Sequence, residues 1–211
     1  MTLPRLYPIL DTQTLVARAC PVTAAAEAML AGGARILQFR HKGQFARAAF
    51  EQAERVAELC RRAGAMFILD DRADIARLLD AGLHLGQDDL PPADARRLLG
   101  PEGVIGFSTH NQAQFAAALA EPVDYLAFGP VFPTATQENP DPVVGREGLR
   151  RVRRMTDRPL AAIGGITRSN ALEVLAAGAD AVAVINDLYP DPCTPETLHT
   201  RMEEWQQLLQ A

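Results

Sequence analysis

Several things are scarce in this chain, and each scarcity closes off a class of function. Cysteine is rare: the chain has only 3, at Cys20, Cys60 and Cys193. They are odd in number and lack metal-ligand spacing, so they read as reduced thiols of a cytosolic protein. Positive charge is not clustered, and the net charge is −5. A nucleic-acid surface needs a lysine and arginine block, so no nucleic-acid partner is expected. No apolar run approaches the ~20 residues of a membrane span. The opening Met1-Thr2-Leu3-Pro4-Arg5 lacks a basic segment followed by a long apolar stretch, so neither a signal peptide nor a membrane partner is expected. These absences suggest a cytoplasmic protein that acts on small molecules. Aromatic residues make up only 6% of the chain, which leaves the core to alanine, leucine, valine and isoleucine.

What the chain does have is size and rhythm. Its 211 residues are 48% hydrophobic, enough for a sizeable core. Strand-like and helix-like segments alternate from end to end. Strands are expected at 6–10, 36–39, 66–69, 83–85, 104–107, 125–128, 160–163 and 181–184. Helices are expected at 22–31, 45–63, 73–79, from Pro91-Pro92 to Leu99, after strand five to Ala120, and at 145–155, 169–177 and 195–209. Gly32-Gly33 suit a left-handed cap, Gly64 ends the long amphipathic helix, and Pro91-Pro92 are tolerated in a first turn. The strands read as short continuous apolar runs, as a parallel sheet buried on both faces requires. Eight βα units predict an α/β fold, a single (βα)8 TIM barrel domain over residues 1–211, with the active site at the C-terminal ends of the strands. An open doubly wound sheet is the alternative. The one long loop, Gly129–Val144, has the length of a functional lid.

Nearly every apolar run ends in a small polar cluster. Gln38, Arg40 and Lys42 alternate, so an extended strand end points all three the same way. Two cations and an amide on one face can grip a diphosphate; a solvated strand face is the plainer reading. Gly164-Gly165-Ile166, ahead of a helix, suits phosphate binding through backbone N–H groups, although glycines also serve a tight turn. Asp71 and Asp89 end neighbouring strands and could share one hard cation; magnesium accepts one or two carboxylates plus phosphate oxygens and water. Each acid alone also fits a helix N-cap. Ser108, Thr134 and Thr136 offer hydroxyls that equally serve turns and caps. His110 is a candidate acid or base with a pKa near neutrality, or a structural residue. His84, inside a strand, reads as packed and neutral.

In this order these residues resemble the thiamine phosphate synthase family, from Leu6-Tyr7 to Val184-Ile185-Asn186. The matching pieces are Gln-x-Arg-x-Lys at 38–42, Asp-Arg at 71–72, His-Leu-Gly-Gln-x-Asp at 84–89, Gly-x-Ser-x-His at 106–110, and Asp-Tyr followed by Gly-Pro-x-Phe-Pro-Thr-x-Thr at 124–136. The resemblance implies a (βα)8 barrel and a transferase that joins an aminopyrimidine-methyl diphosphate to a thiazole phosphate, releasing pyrophosphate. It implies that Gln38, Arg40 and Lys42 hold the diphosphate, with Asp70 beside them, and that Asp71 and Asp89 ligate Mg2+. Ser108 would contact the departing pyrophosphate, with Arg40, Lys42 and Ser108 the catalytic groups. Thr134 and Thr136 would bind phosphate from the long loop, with Gln137 next to them. Gly165, Ile185 and Asn186 would bind the thiazole phosphate. The thiazole nitrogen carries no proton, so its attack needs no general base, and catalysis would be positioning plus electrostatics. A homodimer is expected by analogy.

Three positions depart from the family pattern. Asp70 stands where asparagine is usual, Gln137 where lysine is usual, and Asn186 where serine is common. Asp70 is expected to join the magnesium shell or to pair with Lys42, and Arg146 or His41 to cover in part for the missing lysine. Two other readings compete. A thiazole phosphate tautomerase on the same barrel would use His110 and has no use for magnesium acids. A non-catalytic phosphate-ligand binder is the other.

Overall fold

The computed structural model describes residues 1–134 and 141–210. Eight strands, β1 (Leu6–Asp11), β2 (Ile36–Arg40), β3 (Met66–Asp70), β4 (Gly82–Leu85), β5 (Ile105–Thr109), β6 (Tyr125–Phe128), β7 (Leu160–Ile163) and β8 (Ala181–Val184), pair in sequence order. All the pairings are parallel, and β8 returns to β1 through Leu6↔Val182 and Tyr7↔Ala183. The sheet is therefore a closed barrel, and the open doubly wound alternative is excluded. Around it run α1 (Thr12–Ala17), α2 (Val22–Ala31), α3 (Arg47–Ala63), α4 (Ala73–Leu79), α5 (Pro92–Leu99), α6 (Gln112–Ala118), α7 (Gly145–Arg153), α8 (Ala171–Ala176) and α9 (Pro195–Gln210). None of the helices described is long and apolar enough to cross a membrane.

The hydrophobic residues divide into two layers, as strand alternation dictates. The larger layer lies between sheet and helices and includes Phe39, Phe115, Phe128, Met202 and the fully buried Trp205. The smaller fills the barrel with Tyr7, Ile9, Ile36, Ile68, Tyr125, Ala127, Ala161, Ala181 and Ala183. Two glycines make that filling possible. A Cβ on Gly82 would lie 2.4 Å from Ile68 Cδ1, and one on Gly106 only 2.0 Å from Tyr125 Cζ.

Several strands run further than their apolar cores suggest. β1 reaches Asp11, β2 Arg40, β3 Asp70 and β5 Thr109. These polar ends stay in the ladder, as Asp11↔Arg40 and Asp70↔His84 show, so the site residues ride on rigid strand rather than loop. The third helix starts at Arg47, not residue 45, because Phe45 packs edge-on against Phe39 and His41. The helix α1 was not expected. Asp11 caps it, accepting from Thr14 N at 2.8 Å.

Candidate active site

The polar strand ends meet around a cavity of about 370 Å3 at the carboxyl mouth of the barrel. Its wall includes Gln38, Arg40, Lys42, Asp70, Asp71 and Ser108, as well as Thr134, Gly165, Ile185 and Asn186. Asp89 lies behind this wall, against Asp71. Thr136 and Gln137 fall outside the described residues. The cavity floor is small and apolar: Ile9, Ala127, Ala161 and Ala183, with Tyr7 at the side.

The cationic side is held by buried carboxylates. Arg40 Nη1 donates to Asp11 Oδ2 at 2.5 Å, and the two side chains are 13% and 3% exposed. Arg40 Nε also lies 3.8 Å from Asp70 Oδ2. Lys42 Nζ donates to Asp71 Oδ2 at 2.6 Å and sits 2.9 Å from Asp70 Oδ2. The buried Asp70 Oδ2 thus faces two cations. Burial, with the Asp71 charge adding to it, lifts the Asp70 carboxyl to about 7 against the pull of Lys42 and Arg40. For Lys42, burial works downward, but Asp70 and Asp71 outweigh it and raise the ammonium. Of the two roles expected of Asp70, this is the ion pair with Lys42. The side chains offered as cover for the absent lysine are engaged elsewhere. Arg146 pairs with Glu173, and His41 bonds Thr12 Oγ1 at 2.8 Å and Gln44 O at 3.2 Å.

Asp71 adopts φ 66°, a left-handed conformation that aspartate tolerates better than most residues. It follows β3, while Asp89 follows β4 and accepts from Gly86 N at 2.6 Å. Burial raises the Asp89 carboxyl, the Gly86 N–H opposes this, and the Asp71 charge adds to the rise. Two hard oxygen donors held together against their own repulsion fit magnesium, which accepts a pair of carboxylates and takes its other ligands from phosphate and water. Among the described residues no group of three or more His, Cys, Asp or Glu is placed to hold an ion.

On the opposite side, Gly164 and Gly165 have φ 98° and 63°. A Cβ on Gly164 would come 2.4 Å from Pro130 Cβ, and one on Gly165 2.5 Å from Pro133 O. The tight-turn reading of this pair therefore holds, and the turn also lines the cavity. The helix after it starts at Ala171 rather than residue 169. His110 lines the cavity as well, with Nδ1 3.0 Å from Gly129 O and 3.5 Å from Asp141 Oδ2.

Sequence reasoning missed Asp11. Its signal was legible only as a helix cap, Asp11-Thr12-Gln13-Thr14; its grip on Arg40 depends on the β1–β2 register. It also missed the tyrosines at 7 and 125, which read as core and are core, yet meet each other and His84 through their hydroxyls.

A closed parallel barrel whose strand ends surround a charged cavity defines a (βα)8-barrel enzyme. The family model described as thiamine monophosphate synthase matches residues 6–188. A thiamine-phosphate synthase of Koribacter versatilis is 46% identical over 195 residues, spanning 91% of this chain and 92% of that protein. Another, from Chloroflexus aurantiacus, is 41% identical over 183 residues, 86% of this chain and 83% of that one. The solved structure of a thiamine phosphate pyrophosphorylase from Pyrococcus furiosus superimposes with a TM-score of 0.84 at 34% identity, covering 98% of this chain and 95% of that one. The chain belongs to the thiamine monophosphate synthase family.

Proposed function

We propose that this enzyme condenses 4-amino-2-methyl-5-pyrimidinylmethyl diphosphate with a 4-methyl-5-(2-phosphoethyl)thiazole, giving thiamine phosphate and pyrophosphate. One observation carries the reading: Arg40, Lys42 and the Asp71–Asp89 pair come together at one mouth of the barrel, beside a cavity of about 370 Å3 with a small apolar floor. Arg40 and Lys42 grip the diphosphate, with Gln38 deeper on the same strand. Asp71 and Asp89 hold magnesium, which when bound supplies positive charge to the leaving diphosphate. Ser108 donates to that group as it departs. The turn at Gly165, with Ile185 and Asn186, seats the thiazole phosphate opposite, and Thr134 and Thr136 bind phosphate. The walls align the thiazole nitrogen with the pyrimidine methylene and exclude water from it. No side chain is required as a base, because the attacking nitrogen carries no proton.

The test is a product assay with both substrates and magnesium, with and without EDTA, following thiamine phosphate by thiochrome fluorescence. A magnesium-dependent signal is expected. Asp71→Ala and Asp89→Ala should each lower kcat/KM by about tenfold or more, a loss of ~1.4 kcal/mol in transition-state binding, with partial rescue at high magnesium. His110→Ala should be much milder. The reverse pattern, collapse at His110 and indifference at the acids, would transfer the assignment to an acid/base thiazole phosphate tautomerase. Binding of thiazole phosphate without turnover would mark a non-catalytic binder.

A further inference from the structure

We infer that His84 is a positioning residue. Through a one-directional hydrogen-bond chain inside the barrel, it fixes the Ser108 hydroxyl as a donor aimed at an anionic oxygen in the cavity. The identity of that anion, the leaving diphosphate, rests on the function proposed above; the direction of the chain does not.

The chain crosses five strands. Gln38 Nε2 on β2 donates to Tyr7 OH on β1 at 3.1 Å. The Tyr7 hydroxyl meets Tyr125 OH on β6 at 2.7 Å. That hydroxyl lies 2.9 Å from His84 Nδ1 on β4, and His84 Nε2 lies 2.8 Å from Ser108 Oγ on β5. Four of the five residues are buried and Ser108 is half-buried; Gln38, Tyr7, His84 and Ser108 border the cavity. The rings are clamped as well. His84 and Tyr125 stack at 5.6 Å between centroids, and the missing side chain of Gly106 is what admits the Tyr125 ring.

Counting protons sets the direction. Both phenols and the imidazole are buried, and their side-chain partners in the chain are neutral: an amide, hydroxyls and one another, so the phenols keep their protons and the imidazole is uncharged. One ring nitrogen therefore carries a proton and the other accepts. The amide nitrogen of Gln38 can only give, so Tyr7 O accepts from it. The Tyr7 proton then has one acceptor in the chain, Tyr125 O, and the Tyr125 proton goes on to His84 Nδ1. That leaves the imidazole proton on Nε2, donated to Ser108 Oγ. The opposite order would bring two donors to Tyr7 O and leave the proton of the buried Tyr7 without an acceptor in the chain, which buried polar groups avoid. With Oγ already accepting from His84, the Ser108 proton is free to point into the cavity. A donor oriented in advance gains most as charge builds on the group that leaves. The histidine read from sequence as merely packed thus sets the orientation of a catalytic hydroxyl.

The full chain labelled with 15N-histidine provides the test. His84 is assigned by the resonances lost in His84→Gln. Wild-type protein should show the proton on Nε2 and a bare Nδ1; the reverse tautomer, or an averaged pair, overturns the inference. Tyr125→Phe removes the donor to Nδ1 and should shift these resonances; unchanged resonances overturn it too. Kinetics adds a separate arm. His84→Gln offers an amide donor near the Nε2 position and should keep kcat within about threefold, whereas His84→Asn should lower kcat by about tenfold with little change in KM for the diphosphate. In a Ser108→Ala background His84→Asn should cost nothing further; an equal loss there would overturn the relay. If wild-type protein makes no thiamine phosphate, the functional reading fails while the tautomer is still decided by NMR.

Discussion

Asp11 and Asp70 are both carboxylates against Arg40, yet they do different work. Asp11 caps α1 and pairs with Arg40 in one stroke, so it locks the guanidinium toward the cavity. Asp11→Asn keeps the cap, because asparagine caps as well as aspartate, and removes only the charge. The expected outcome is a KM for the diphosphate raised by about tenfold and a stability loss of ~1–3 kcal/mol from the weakened partner of a mostly buried arginine, read by steady-state kinetics and denaturant unfolding. Unchanged KM would mean that Arg40 is held without it. Asp70 is instead matched to Lys42 at 2.9 Å, and its raised carboxyl shows how little charge that crowded spot favours. Asp70→Asn combined with Gln137→Lys should therefore leave turnover within about tenfold of the parent. A larger rise would show that the two departures from the family pattern impair the site. The alternation of Gln38, Arg40 and Lys42 made that strand end legible in the sequence. Asp11 was not legible, since nothing local reveals which residue a neighbouring strand will set beside it.

The strands were easy to find from their apolar runs but hard to bound, because their polar ends remain in the ladder. The feet of the strands carry a device that hydropathy does not reveal. Asp124, just before β6, accepts from Ile105 N at 2.7 Å and from Arg96 Nη2 at 2.7 Å, tying the foot of β6 to that of β5. Asp180, just before β8, does the same for β7, accepting from Leu160 N and Arg153 Nη1, both at 2.8 Å. The ion pairs contribute little, since these side chains are partly exposed; the backbone N–H at each strand start is what needs the acceptor. Asp124→Ala and Asp180→Ala should each cost ~1–3 kcal/mol, which for a chain of this length lowers Tm by roughly 2–12 °C. Both should leave kcat and KM unchanged, because the amino face of a barrel serves stability and the chemistry sits at the other end. A loss of activity without loss of Tm would contradict that division.

Barrel closure is the property that local sequence carries least. Eight βα repeats suggest it, but only the return of β8 to β1 establishes it, and that contact joins residues from opposite ends of the chain. The neighbouring strands β2, β3 and β4 have an energetic consequence at the mouth. They set Asp70, Asp71 and Asp89 beside Arg40 and Lys42, and burial, with the Asp71 charge adding to it, lifts the carboxyls of Asp70 and Asp89. A ligand that brings both a divalent cation and an anion should relieve these contacts from two sides, and so bind the folded state alone. At ~100 times its Kd such a ligand adds about 2.7 kcal/mol of stability, worth roughly 5–10 °C in Tm at this chain length. Pyrophosphate with magnesium should therefore raise Tm well beyond pyrophosphate with EDTA. In Asp71→Ala and Asp89→Ala the magnesium-dependent increment should vanish, while the smaller rise with pyrophosphate alone persists through Arg40 and Lys42. A wild-type Tm indifferent to magnesium would remove the metal from the two acids. An increment that survives both substitutions would place it elsewhere in the mouth.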